Sequence, residues 1–153
     1  MRLQLIAVGR LRKGPEKALV DDYLDRFAKV GRGLGLPPVQ LTELPDRGGM
    51  EAEAEAIAKA LAPGAALVVM DERGRQMTSP DFAGHLASWR DGARDAALVI
   101  GGADGLAPVL RDRADLAVSF GAMVWPHMLV RVMLAEQLYR AASILAGTPY
   151  HRA

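Results

Sequence analysis

The sequence predicts an α/β fold, a mostly parallel sheet with helices on both faces. Three observations predict it. The apolar runs at residues 65–70 and 96–100 are continuous rather than alternating, the pattern of strands buried on both faces. Other segments carry apolar residues at helical spacing. The two kinds of segment alternate along the whole chain, which is the order of β/α units. At 153 residues the chain has the size of one domain, expected to span 1–153 without a clear linker. Such a chain buries roughly 70% of its unfolded surface and needs no disulfide or metal to hold it.

The elements follow in order. Residues 2–8 read as a strand ended by Gly9. Residues 15–30 place Ala18, Leu19, Tyr23, Phe27 and Val30 on one helical stripe. Residues 39–44 alternate and stop at Pro45, a second strand. Residues 50–61 form an Ala/Glu helix closed by Pro63-Gly64. The strand at 65–70 is followed by Ser79-Pro80-Asp81, which reads as an N-cap with proline at the first helical position, opening a helix to about residue 90. After the strand at 96–100, a short helix is expected over 105–114 and a last strand over 116–120. Residues 121–126 form a loop, and an almost wholly apolar helix runs from there to about residue 146. Helices that are apolar on most sides are buried in a core or against a partner.

Composition excludes several kinds of chemistry. There are no cysteines, so a disulfide scaffold, a thiolate metal site and a cysteine nucleophile are excluded, and a cytoplasmic location is expected. His85, His127 and His151 show no ligand spacing, so no metal is expected. No apolar run reaches membrane-spanning length, and none near the start suits a signal peptide. The formal net charge is +1 but uneven: residues 2–32 carry eight Lys or Arg against four acids, and residues 43–72 carry seven acids against two bases. Basic ends around an acidic middle suit an anionic partner held between the ends, or are simply solvated faces.

In open α/β sheets, ligands sit beyond the C-terminal ends of strands. Three strand ends here carry candidate residues: Met70-Asp71-Glu72-Arg73-Gly74, Gly101-Gly102-Ala103-Asp104-Gly105, and the loop Gly121, Ala122, Met123, Val124, Trp125, Pro126 with His127 after it. Paired glycines let the backbone come close to a ligand, although glycines after a strand also serve as a plain turn. They do not form the G-x-G-x-x-G fingerprint, and no P-loop motif occurs. The third loop offers small and apolar residues for a planar ring, with corner packing as the competing reading. His127 is a candidate proton acceptor or, equally, a helix cap. Asp71 and Glu72 are adjacent on a strand and point to opposite faces, so they do not read as a catalytic pair. At the C-terminus, Pro149-Tyr150-His151-Arg152 offers a ring to stack on a base and cations for phosphate.

With these loops and this tail, the chain resembles the RlmH family of SPOUT methyltransferases, the rRNA large subunit methyltransferase H family. The likeness covers the full length. It is carried by Leu67-Val-Val-Met-Asp-Glu-Arg-Gly74, Ile100-Gly-Gly-Ala-Asp-Gly-Leu106, Pro126-His127, Leu129-Val-Arg131-Val, Ala135-Glu136-Gln-Leu-Tyr139-Arg140-Ala and Pro149-Tyr-His-Arg152, in that order. The opening Ala7-Val-Gly9 with a basic residue after it also fits.

The resemblance implies a SPOUT-type sheet with a C-terminal trefoil knot over roughly residues 65–153. Periodicity would never suggest a knot. It further implies S-adenosyl-L-methionine bound bent in the knot loops, a homodimer built on the knot helices, and no metal. The implied substrate is 23S rRNA in the assembled ribosome, methylated at N3 of pseudouridine 1915 in helix 69. Carried over by position, Met70, Gly101, Gly102, Gly121, Ala122, Met123, Val124, Trp125 and Pro126 would hold the cofactor. His127, Arg131, Arg140 and His151 would lie near the reaction, and Tyr150, His151 and Arg152 would contact the RNA. His151 or His127 would accept the N3 proton while Arg152 or Arg131 stabilises the imide anion; in the competing reading solvent takes the proton and these residues only position RNA. Trp125 stands where the family has leucine, Ala142 where it often has tryptophan, and Arg10 and Arg75 where it has lysines.

Two other readings stay open on the residues alone. One is a ribosome-associated factor without catalysis. The other is a nucleotide-dependent enzyme using the Gly101-Gly102 loop for phosphate, against which the missing fingerprint counts.

Overall fold

The computed structural model describes residues 1–46 and 48–152. Ten elements follow in order: β1 Leu3–Val8, α1 Pro15–Arg32, β2 Val39–Leu44, α2 Gly49–Ala60, β3 Ala66–Arg75, α3 Ser79–Asp91, β4 Ala96–Ile100, α4 Pro108–Arg113, β5 Leu116–Val118 and α5 His127–Ala146. The five strands form one sheet in the order β2-β1-β4-β3-β5, and every pairing is parallel.

Alternate strand residues feed two cores, as the period of two requires. Leu3, Leu5, Val68, Leu98 and Ile100 face one side, where they meet Phe27 of α1, Phe82 and Leu86 of α3, and Leu134 and Leu138 of α5. Ile6, Val8, Leu67, Val69 and Val99 face the other, against Ile57 of α2 and Leu110 of α4. The central strands β1 and β4 are buried at every position, which explains their unbroken apolar runs. The one polar side chain inside β1, Gln4, is satisfied at the edge of α2: it donates to Ala60 O at 3.0 Å and accepts from Ala62 N at 3.2 Å.

Four boundaries differ from the sequence expectation for a clear local reason, and others shift by one or two residues. The N-cap of α3 is Thr78 rather than Ser79, because Thr78 and Asp81 close a reciprocal capping box; Pro80 is then the second helical residue. Strand β3 continues past Met70 to Arg75 with a register shift, since Ser119 N donates to Arg75 O at 3.0 Å. Gly74 permits this pairing: a Cβ there would lie 2.7 Å from the Ala117 carbonyl carbon. Helix α4 starts at Pro108 rather than 105, because residues 102–105 form a turn closed by Gly105 N to Gly102 O at 3.0 Å. Strand β5 ends at Val118 rather than 120, because the Ser119 hydroxyl exchanges hydrogen bonds with both backbone groups of Gly121, each at 3.0 Å, and turns the chain away.

Candidate cofactor pocket and C-terminal tail

The C-terminal ends of β3, β4 and β5 open onto a cavity of about 590 Å³. All three segments singled out in the sequence line it, including Met70, Gly101, Gly102, Gly121, Met123, Val124, Trp125, Pro126 and His127. Ala122 is the exception and is not among the lining residues. Ile100, Leu106, Val118 and Val130 supply apolar wall. Met123 and Val124 stand about four-fifths exposed at the rim.

Two of the cavity's glycines, Gly101 and Gly102, have no room for a side chain. A Cβ on Gly101 would lie 2.8 Å from the carbonyl carbon and oxygen of Gly105. A Cβ on Gly102 would lie 2.9 Å from Glu53 Oε1 and 3.2 Å from Val8. Glu53 therefore presses from α2 onto the back of the glycine turn. Burial, helped by the neighbouring carboxylates of Asp46 and Asp104, raises its pKa above the usual glutamate range. Within β3, just past Met70, Asp71 lies between Arg73 at 3.4 Å and Arg111 at 3.5 Å on the cavity's edge.

His127 is the first residue of α5 and caps nothing: the N-cap is Pro126, and no side chain caps this end. The helix-cap alternative is thereby removed. Its Nδ1 is buried without a hydrogen-bond partner, and its Cε1 lies 3.8 Å from where a Cβ on Gly9 would stand. Arg131, one turn later, is fully buried. It donates to Glu43 Oε2 at 2.7 Å, to Gly9 O at 3.0 Å and to Val8 O at 3.4 Å. Burial lowers its pKa, and the Glu43 carboxylate opposes that shift.

The remaining proposed residues form a second group away from the cavity wall. Arg140 donates to Glu136 from Nε at 2.9 Å and lies 2.7 Å from it through NH2. The Tyr150 hydroxyl donates to the same Glu136 oxygen at 3.0 Å. Arg140 stacks 4.8 Å over the Tyr150 ring and meets His151 Nδ1 at 3.2 Å. Tyr139 packs between Tyr23 and Tyr150 at centroid distances of 6.2 and 4.5 Å. The Glu136 carboxylate raises the Arg140 pKa, and burial with the Tyr23 and Glu136 contacts raises that of Tyr150. Arg152 is exposed at the tip. Within one chain, then, the structure gathers His127 with the cofactor loops, and gathers Arg140, Tyr150 and His151 elsewhere. Among the described residues, none of the tail lines the cavity.

Sequence reasoning missed Glu43, Glu53 and Glu136. Glu136 had a signal, its spacing of four from Arg140 on one helix. Glu43 and Glu53 had none, because their partners are distant in sequence. Among the described residues no cluster of His, Asp or Glu is arranged to hold a metal ion, and no helix is long and apolar enough to cross a membrane.

A parallel sheet with a glycine-floored cavity at its strand ends, closed by a C-terminal helix, defines a ligand-binding α/β enzyme. Comparison with known proteins narrows the class. Residues 1–151 match the family model described as "Predicted SPOUT methyltransferase". Ribosomal RNA large subunit methyltransferase H of Cereibacter sphaeroides is 77% identical over 154 aligned positions, covering 99% of each chain. The protein of that name from Paracoccus denitrificans is 68% identical with the same coverage. Among solved structures, a probable methyltransferase from Bordetella pertussis Tohama I is similar with TM-score 0.58 at 18% identity, covering 92% of this chain and 94% of that one. A probable methylase family protein from Haemophilus influenzae Rd KW20 follows at TM-score 0.56 and 14% identity, covering 99% and 70%. At those identities the structures share the fold. The chain belongs to the SPOUT methyltransferase family.

Proposed function

We propose that this protein transfers a methyl group from S-adenosyl-L-methionine to N3 of pseudouridine 1915 in helix 69 of 23S rRNA, in the cytoplasm and on the assembled ribosome. The observation that carries this reading is 77% identity over essentially the whole length to a protein named for large-subunit rRNA methylation. The cavity supports the cofactor. Its walls are apolar enough for an adenine ring. Among the described residues, the amides of Ala122, Met123, Val124 and Trp125 find no acceptor within the chain, which leaves them free for ring nitrogens. Met70, Gly101, Gly102, Gly121, Met123, Val124, Trp125 and Pro126 would hold it, with Ala122 contributing backbone only. Trp125, half-exposed at the rim, offers a larger face to a ring than the leucine it replaces.

The bound cofactor supplies an electrophilic methyl carbon on sulfur. This chain's residues must then align N3 with that carbon, exclude water and remove the N3 proton, because N3 of neutral pseudouridine carries a hydrogen. His127, on the cavity wall, is assigned as the proton acceptor. The positive charge that steadies the imide anion is assigned to Arg152, which is exposed, rather than to Arg131, whose guanidinium is committed to Glu43 and two carbonyls. Arg140 and His151 hold the tail, on which Tyr150 and Arg152 meet RNA.

The separation of tail and cavity within one chain supports a homodimer, in which the tail of one copy serves the cavity of the other. Met123, Val124, Trp125, Met128 and Leu129 form an exposed apolar patch from the cavity rim onto the first turn of α5, fit for the partner. We also read the return of the chain from the sheet edge at β5, through the 119–126 loop, to α5 packed on α1 and α3 as the trefoil knot. The reading is tested by tritium transfer from labelled S-adenosylmethionine to unmodified ribosomes and to a naked stem-loop. Label in ribosomal RNA with little in the stem-loop is expected; no label in either would overturn it.

A further inference from the structure

We propose that the loop between β1 and α1, residues 9–14, is a phosphate-binding strap beside the cavity wall that grips the backbone of the substrate RNA through Arg10, Arg12 and Lys13. The proposal rests on the rRNA-methyltransferase reading above and adds a contact surface to it.

The first observation is a contrast in charge pairing. On α1, Lys17, Arg26 and Lys29 are each neutralised by an aspartate four residues away, at 2.6, 3.1 and 2.9 Å. Arg10, Arg12 and Lys13 are exposed, and among the described residues none of them forms an ion pair or a side-chain hydrogen bond. Three unpaired cations within four residues make a concentrated anion-binding edge on a chain of near-neutral charge.

The second observation is how firmly this loop is held. Gly9 N donates to Leu44 O at 2.7 Å, and Gly9 O accepts from Arg131 at 3.0 Å. Leu11 N donates to Glu43 Oε2 at 2.7 Å, the same oxygen that accepts from Arg131 at 2.7 Å. The Leu11 side chain is buried with Val20 and Ala135. Residues 9 and 11 are thus tied down, and the side chains of 10, 12 and 13 are left outside. A buried ion pair is a weak source of stability, since apolar residues of similar size often serve as well. Here every polar bond Arg131 makes within the chain ends on Glu43 or on the β1–loop backbone. Arg131 and Glu43 are therefore positioning residues for the strap.

The third observation is place. Gly9 adjoins His127 on the cavity wall, so the strap begins at the edge of the reaction centre. Phosphate contacts fix register without reading sequence, and arginine suits them through its planar fork.

The test compares the wild type with the triple variant Arg10→Gln/Arg12→Gln/Lys13→Gln and the remote control Lys59→Gln on unmodified ribosomes over a range of salt. The triple variant is expected to raise KM for ribosomes about tenfold or more, keep kcat and cofactor affinity, and flatten the salt dependence of kcat/KM by about two log–log slope units. The Lys59→Gln control should do none of these. For the positioning pair, Glu43→Gln should also raise KM with kcat retained, and adding it to the triple variant should raise KM no further. A triple variant with wild-type KM and salt slope, or one matched by Lys59→Gln, overturns the strap. Full additivity of Glu43→Gln overturns the positioning role. Wild-type protein that leaves ribosomes unmethylated overturns the function reading instead.

Discussion

A Cβ at Gly101 would meet backbone rather than a movable side chain, so Gly101→Ala has to shift the turn that floors the cavity. Overpacking of that kind costs about 1–3 kcal/mol. Calorimetric titration of Gly101→Ala should show S-adenosylmethionine affinity reduced at least about tenfold, since 1.4 kcal/mol is a factor of ten. Unchanged affinity would mean that the turn does not shape the site. Glu53 makes a prediction in pH. Its pKa is raised in the folded state, so ionising it costs stability. Stability is therefore highest where Glu53 stays protonated, below the ordinary glutamate range, and falls as pH rises through the raised value. Glu53→Gln should flatten this part of the stability–pH curve and raise Tm at neutral pH. A Tm that falls at neutral pH would show that the charged carboxylate is needed. In the sequence, Gly101 and Gly102 read as backbone approaching a ligand or as a plain turn; the folded chain shows the turn, packed against Gly105 and Glu53. Glu53 was not legible there, because only the folded chain packs α2 on β1 and β2, within reach of Gly102.

Helix α5 carries both halves of the proposed site, His127 at its start and the Glu136–Arg140 pair in its second half. One carboxylate, Glu136, fastens Arg140 and Tyr150 and so fixes how the tail leaves the helix. Glu136→Ala should lower methyl transfer at saturating ribosomes about tenfold or more while leaving cofactor affinity within twofold, the signature of lost positioning. Wild-type turnover in that variant would show that Glu136 does not position the tail for methyl transfer. At α3, Thr78→Ala removes the capping box and should cost about 1 kcal/mol in a denaturant titration. The elements themselves were largely readable: every strand and helix was expected, and the errors lay at ends. They lay where tertiary contact decides. Asp71-Glu72-Arg73-Gly74-Arg75 is too charged to read as a strand, yet Arg75 pairs with Val118. The start of α4 did have a local signal, since Pro108 suits the first helical position and disfavours helix at Ala107, and the Gly102–Gly105 turn precedes it. The apolar pattern of α5 announced burial but could not show that Arg131 would be buried with it, because its partner Glu43 lies 88 residues earlier.

At the scale of the molecule, parallel strands and two-sided helix cover followed from the unbroken apolar runs. The strand order β2-β1-β4-β3-β5 did not, since hydropathy is blind to which neighbours pair. The cavity was legible as three strand ends because parallel sheets put ligands there. Its separation from the tail was not, and that separation is what calls for a second copy. Sedimentation equilibrium should find a dimer, and Trp125→Asp, which places a charge in the exposed apolar patch, should shift it toward monomer with loss of activity. A fully active monomer would contradict the shared site.

Methylation of one nucleotide on its base is measured most directly by mass spectrometry of rRNA from unmodified ribosomes treated with the purified protein and S-adenosylmethionine. One added methyl group is expected, on the pseudouridine base at N3 in helix 69. A methyl group on a ribose hydroxyl, on another nucleotide, or on none would contradict it.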